Sequence, residues 1–161
     1  MRYVTLKQTG LVGPALIGFL SAILFLILAY STITKITPEV TTPPLYYFAV
    51  LIIFPVLSTV GMFIVNDLAK KFGERFGVLT QFYKFVLVGI FNTLLDLTAL
   101  NGLIVLTGIA VGWHFSLFKG ISFVIAVINS YFWNKLWTFS VGGKTKPVEF
   151  GKFVAVSLVG L

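Results

Sequence analysis

QFYKFVLVGIFNTLLDLTALNGL (residues 81–103) and, after a short connection, FKGISFVIAVINSYFWNKLWTF (118–139) are each long and apolar enough to cross a bilayer. A helix rises about 1.5 Å per residue, so the hydrocarbon layer needs roughly 20 such residues. Both stretches also carry groups that oil cannot solvate. Asn92 and Asp96 lie in the first and Asn129 and Asn134 in the second, with Lys84, Lys119 and Lys135 toward the edges. A polar side chain at that depth needs a partner within the protein or a task.

Composition carries the same message over the whole chain. Hydrophobic residues make up 58% and charged residues 11% of the 161 positions, and the mean hydropathy is +1.01. A soluble domain of this length has no interior large enough for so much apolar surface. Two further membrane-length runs lie at 11–31 and 45–66, and a fifth, 153–161, is too short to span. The expected fold is an all-α integral membrane protein, a helical bundle of four full transmembrane helices plus a partial fifth, in a chain cut short. With no Cys, disulfides and thiolate metal sites are excluded.

The net charge of +7 raises the question of nucleic acid, but the placement of the charges answers it. When the spans are alternated, Arg2, Lys7, Lys70, Lys71, Arg75, Lys84, Lys135, Lys144, Lys146 and Lys152 fall on one side, and only Lys35 and Lys119 on the other. This asymmetry predicts a multi-pass cell-membrane protein with a cytoplasmic N-terminus; membrane lipids are the expected partners and nucleic acid is not. The first apolar run is longer than the core of a signal peptide and is read as a retained anchor.

Three parts are expected: an N-terminal two-helix unit (1–66), a cytoplasmic interfacial linker (67–81) and a second membrane unit (82–161). Pro55 is expected to kink the second span. In the linker, Leu68, Phe72, Phe76 and Leu79 recur at helical spacing among charges, which suits a short helix lying on the membrane surface. A shift of 68 positions superposes Phe82, Lys84, Phe85, Val86 and Val88 on Phe150, Lys152, Phe153, Val154 and Val156, an internal repeat whose copies enter the membrane in the same orientation.

These residues also carry a resemblance. The K-F-x-x-V-G-x-x-N-T run from Lys84 to Thr93 and the N-x-x-x-x-N-x-x-W-x-F run from Asn129 to Phe139 are similar to the GtrA-like family of small membrane proteins. The likeness covers 82–161, and the two N-terminal spans fall outside the family's pattern. It implies two hairpins of helices and an association with moving polyprenyl-phosphate-linked sugars across the membrane for cell-surface polysaccharide. A lipid-linked sugar is then the implied substrate, and a glycosyltransferase and a second copy of the chain are the candidate protein partners.

Asn92 and Asp96, four apart, stack on one helix face with Gly89 a turn earlier. Counting from the ends at Lys84 and Phe139 sets Asp96 about 18 Å and Asn129 about 15 Å into the membrane, so the two are expected to meet. Ser122, Ala126 and Asn129 share a face on which small residues permit close approach. Lys119 and Lys135 are expected to reach toward opposite interfaces amid Trp113, Trp133 and Trp137. The substrate-binding set is therefore Lys84, Asn92, Thr93, Asp96, Lys119, Asn129, Asn134 and Lys135, with lysines for the phosphate and amides for the sugar. Two plainer readings stand beside it: a hydrogen-bonded packing knot around Asp96, and lysines that only anchor helices. Proton-coupled export of small cations and a non-transporting subunit that docks a glycosyltransferase remain alternatives. Neither a catalytic constellation nor a cofactor or metal motif is visible, and the chain is read as no enzyme.

Overall fold

In hydrocarbon every backbone N–H and C=O must be satisfied within its own segment, and the long Leu, Ile, Val and Phe runs meet that condition as helices. The computed structural model describes residues 12–36, 42–72, 77–139 and 151. Its helices are α1 (Val12–Ile36), α2 (Pro44–Phe72), α3 (Gly77–Thr107) and α4 (Trp113–Trp133), and a π-helical turn, Asn134–Thr138, continues the last. All four are long and apolar enough to span a membrane. The protein is an all-α, multi-pass membrane protein. The short run at 153–161, most of the second repeat copy and the terminal basic residues lie outside the described residues.

One expectation on the helix bounds changes. The stretch 67–81 forms no helix of its own, because α2 runs on to Phe72 and α3 already starts at Gly77. An ion pair of 2.8 Å between Asp67 and Lys71, one turn apart, supports the extension of α2, and Thr80 donates to Asn66 Oδ1 at 3.4 Å across the two helix ends. Pro55 lies inside α2, which continues through it.

The N-terminal pair is part of the bundle. Ile17 of α1 is buried with Val88 and Phe91 of α3, and Leu20, Leu24, Leu87, Trp133 and Trp137 pack around them. One core thus crosses the boundary expected between 1–66 and 82–161. Small residues let the helices come this close: a Cβ on Gly18 would lie 2.7 Å from Phe54 O and Pro55 Cα of α2. Ser58 fastens three helices together. Its hydroxyl donates to the Pro14 carbonyl of α1 at 2.8 Å, and its own carbonyl accepts from the Tyr83 hydroxyl of α3 at 3.0 Å. The outward faces carry Phe48, Phe63, Phe82 and Leu136, each more than 60% exposed, which is where lipid chains belong. The turn from α3 to α4 uses Gly108 and Gly112 at φ 70° and 74°, a backbone region that side chains with a Cβ disfavour.

Candidate functional site

The polar groups of α3 and α4 form three rungs along the seam between these antiparallel helices. Near the end that carries Lys70 and Lys71, called here the basic end, Lys84 Nζ donates to the Trp137 carbonyl at 3.3 Å and sits 5.3 Å from the centre of the Trp137 ring. Two turns further along α3, Asn129 Nδ2 donates to Asn92 Oδ1 at 3.4 Å. One more turn on, Ser122 Oγ donates to Asp96 Oδ1 at 2.6 Å, and Lys119 Nζ closes on the other carboxylate oxygen as a salt bridge.

The expected meeting of Asp96 with Asn129 does not occur. Both residues face the same seam, but Asn129 lies level with Asn92, and Asp96 is a turn beyond. The partner of Lys84 is Trp137 rather than Phe139, two residues earlier on the antiparallel helix. That displacement hands Asn129 to Asn92 and Asp96 to Ser122 and Lys119. Ser122 is fully buried and Ala126 is 2% exposed, so the small-residue face does let the helices close around the polar groups.

The lysines also differ from expectation. Lys119 does not simply reach for the interface; it neutralises Asp96, with its side chain 40% exposed and that of Asp96 18%. Lys135 folds back along its own helix and is buried, with its ammonium 3.4 Å from the Tyr131 hydroxyl and over that ring. Trp137, read as part of an interfacial belt, instead packs on the core and holds Lys84.

Lys84 is the unusual cation. It is 4% exposed, and a buried charge ordinarily has an opposite charge beside it. The two carboxylates among the described residues, Asp67 and Asp96, are occupied by Lys71 and Lys119. Lys84 therefore has no acid partner among them and is held by a carbonyl dipole and an aromatic face, both weaker than a counter-ion.

Thr93 and Asn134 do not join the seam's rungs. Thr93 is exposed and bonds the Gly89 carbonyl of its own helix at 3.0 Å, while Gly89 faces open space. Asn134 donates to the Ser130 carbonyl and hydroxyl, which leaves its Oδ1, together with Thr138 Oγ1, buried and without a hydrogen-bond partner. Both orphan oxygens belong to the π-helical turn, a form that often marks functional positions. Sequence reasoning missed Thr138 and the holding role of Trp137. The available signal was register: Lys84 opposite Trp137 and Asn92 opposite Asn129 follow from one antiparallel alignment.

Nucleophile–base pairs are not present on this seam, and among the described residues no three His, Asp or Glu side chains gather as a metal set. The arrangement can bind an anion and offer hydrogen bonds along a membrane-crossing face. Residues 84–161 match the family model of the GtrA/DPMS transmembrane domain. This segment, just under half of the chain, is a GtrA/DPMS-type transmembrane domain by that match. The match begins at Lys84 and takes in the whole seam, with α1 and α2 before it. Neither the curated proteins nor the solved structures contain a match to the chain. The GtrA/DPMS domain points to a membrane function connected with sugar-bearing lipids, in a family that generally translocates rather than catalyses.

Proposed function

We propose that the protein moves a polyprenyl-phosphate-linked sugar between the leaflets of the cell membrane, for synthesis or modification of cell-surface polysaccharide, and that it does so without catalysing a covalent step. The observation that supports this most directly is Lys84, a buried ammonium with no carboxylate beside it among the described residues. A phosphate is the counter-ion it lacks, and charge-assisted hydrogen bonds are among the strongest such a group can form. The Asn92–Asn129 rung follows at about 12 Å along the helix and Asp96 at about 18 Å, so a sugar that moves along the seam meets an amide pair and then the Asp96–Ser122–Lys119 group. Lys135, Asn134 and Thr93 flank this route as secondary contacts. The basic end is the cytoplasmic side, with the N-terminus there, and Lys84 is the loading position. Lys119, already paired with Asp96, acts through that pair and is not a second free cation.

Proton-coupled export of small cations, the alternative that also uses a membrane acid in a small bundle, would have to work through an Asp96 already held by Lys119 and Ser122. Docking of a glycosyltransferase, or self-association, would use the outward faces and is compatible with the seam.

The test is reconstitution of the intact protein in liposomes with a short-chain prenyl-phosphoryl hexose and a leaflet-specific readout. Lys84→Ala is expected to lower translocation at least tenfold and Lys84→Arg to retain part of it, while Asp96→Asn lowers it as well. Undiminished transport by properly inserted Lys84→Ala protein would remove the proposal.

A further inference from the structure

Trp137 holds Lys84 in two ways, with its carbonyl 3.3 Å and its ring centre 5.3 Å from the ammonium. Trp137 is in turn seated on a helix that precedes the GtrA/DPMS match. A Cβ built on Gly13, in the first turn of α1, would collide with the indole Nε1 and lie 2.8 Å from Cε2, so the ring rests directly on the α1 backbone. Ile17, one turn further along α1, is buried with Val88 and Phe91 of α3, and Trp137 packs against that cluster. The indole is thus wedged between α1 and α3, with Lys84 of α3 at its face.

The start of α1 has little freedom to retreat from the ring. The Pro14 carbonyl, next to Gly13, accepts from Ser58 of α2 at 2.8 Å, and the Ser58 carbonyl accepts from Tyr83, the chain neighbour of Lys84, at 3.0 Å. A side chain at position 13 would therefore push the indole off α1. The π-helical turn would follow, since Trp137 lies inside it and two of its side-chain oxygens, Asn134 Oδ1 and Thr138 Oγ1, make no hydrogen bond among the described residues that resists the movement. Lys84 would then lose both of its holders. A lysine stem extends toward water when nothing retains it, and a site whose cation must first be brought back from the interface binds more weakly than one already assembled. In the seated state the ammonium spends one of its three N–H donors on the Trp137 carbonyl and keeps two without an acceptor among the described residues. We infer that Gly13 is a positioning residue for the phosphate site: by seating Trp137 on α1 it keeps Lys84 on the seam, poised for an anion. This role rests on Lys84 as the phosphate position, and it gives α1, which lies outside the family match, a task in substrate capture.

The test follows Lys84 itself as well as binding. The full chain in phosphatidylcholine nanodiscs is treated with a water-soluble amine-acylating reagent, and modification of Lys84 is followed by peptide mapping. Binding of a short-chain prenyl phosphate is measured in parallel. Gly13→Ala is expected to speed acylation of Lys84 and to weaken prenyl-phosphate binding, each by about three- to tenfold, the scale of a lost cation–π contact and hydrogen bond. Combining Gly13→Ala with Trp137→Phe should return both toward wild type, because a phenyl ring lacks the pyrrole edge that meets the new methyl and still offers a face to the ammonium. Ala22→Val controls for general loosening: Ala22 is fully buried on the same helix but lies about 13 Å further along it, so overpacking there should leave Lys84 protected. Wild-type acylation and binding in Gly13→Ala, failure of Trp137→Phe to restore them, or equal exposure of Lys84 in Ala22→Val would overturn the inference. Prenyl-phosphate binding that survives Lys84→Ala would overturn the phosphate reading without altering the acylation result, so the two fail separately.

Discussion

The ammonium of Lys119 on α4 closes on the carboxylate of Asp96 on α3, and Ser122 holds the second carboxylate oxygen at 2.6 Å. A polar pair inside the spans therefore ties the two helices of the hairpin together. Removing one member leaves the other without its partner, and insertion scales set the burden of a single charge at the bilayer centre at roughly 2.5 to 3.5 kcal/mol. Because the Lys119 side chain is 40% exposed, the expected loss is smaller, about 1 to 2 kcal/mol for Asp96→Asn or Lys119→Met. The double variant should be more stable than the sum of the single losses implies, when unfolding is followed in mixed detergent micelles. Strict additivity would mean that the pair contributes nothing.

The Asn92–Asn129 rung separates packing from transport. At 3.4 Å this hydrogen bond is long, and hydrogen bonds between membrane helices average about 0.6 kcal/mol. Asn92→Ala and Asn129→Ala should each shift stability by less than about 1 kcal/mol and yet lower translocation severalfold. A large stability loss with transport intact would make the rung a packing element.

Close helix approach at Gly18 gives a purely steric prediction. A Cβ there runs into the Phe54 carbonyl and Pro55 of α2, backbone atoms that cannot swing aside, and overpacking typically costs about 1 to 3 kcal/mol. Gly18→Leu should lower the unfolding midpoint clearly, whereas Gly89→Ala, which meets nothing within 4 Å, should leave it unchanged or raise it. Thermal unfolding in detergent compares the two directly.

The chain contains no Cys, so single-cysteine labelling has no background to remove. The proposed orientation, with the basic end in the cytoplasm, predicts that a cysteine at Thr42 reacts with a membrane-impermeant maleimide in intact cells. One at Lys70 should react only after the membrane is opened. The reverse pattern would invert the topology and, with it, the loading side at Lys84.

The four spans were legible in the residues alone because a bilayer admits few backbone solutions: a long uncharged run must be helical, and its length can be counted. Legible for the same reason was the list of misplaced side chains, since Asn92, Asp96, Asn129 and Lys84 stand out wherever water is absent. Their pairing was not. Partners on antiparallel helices depend on register, and a displacement of one turn, about 5 Å, exchanges one neighbour for another. That register depends on the turn through Gly108 and Gly112 and on contacts such as Lys84 with Trp137, which join residues far apart in the chain and leave no periodic trace along either helix. The same holds for the core joining Ile17 to Val88 and Phe91. Hydrophobic faces are interchangeable in a sequence, and only close packing, with small residues where helices cross, selects which ones meet.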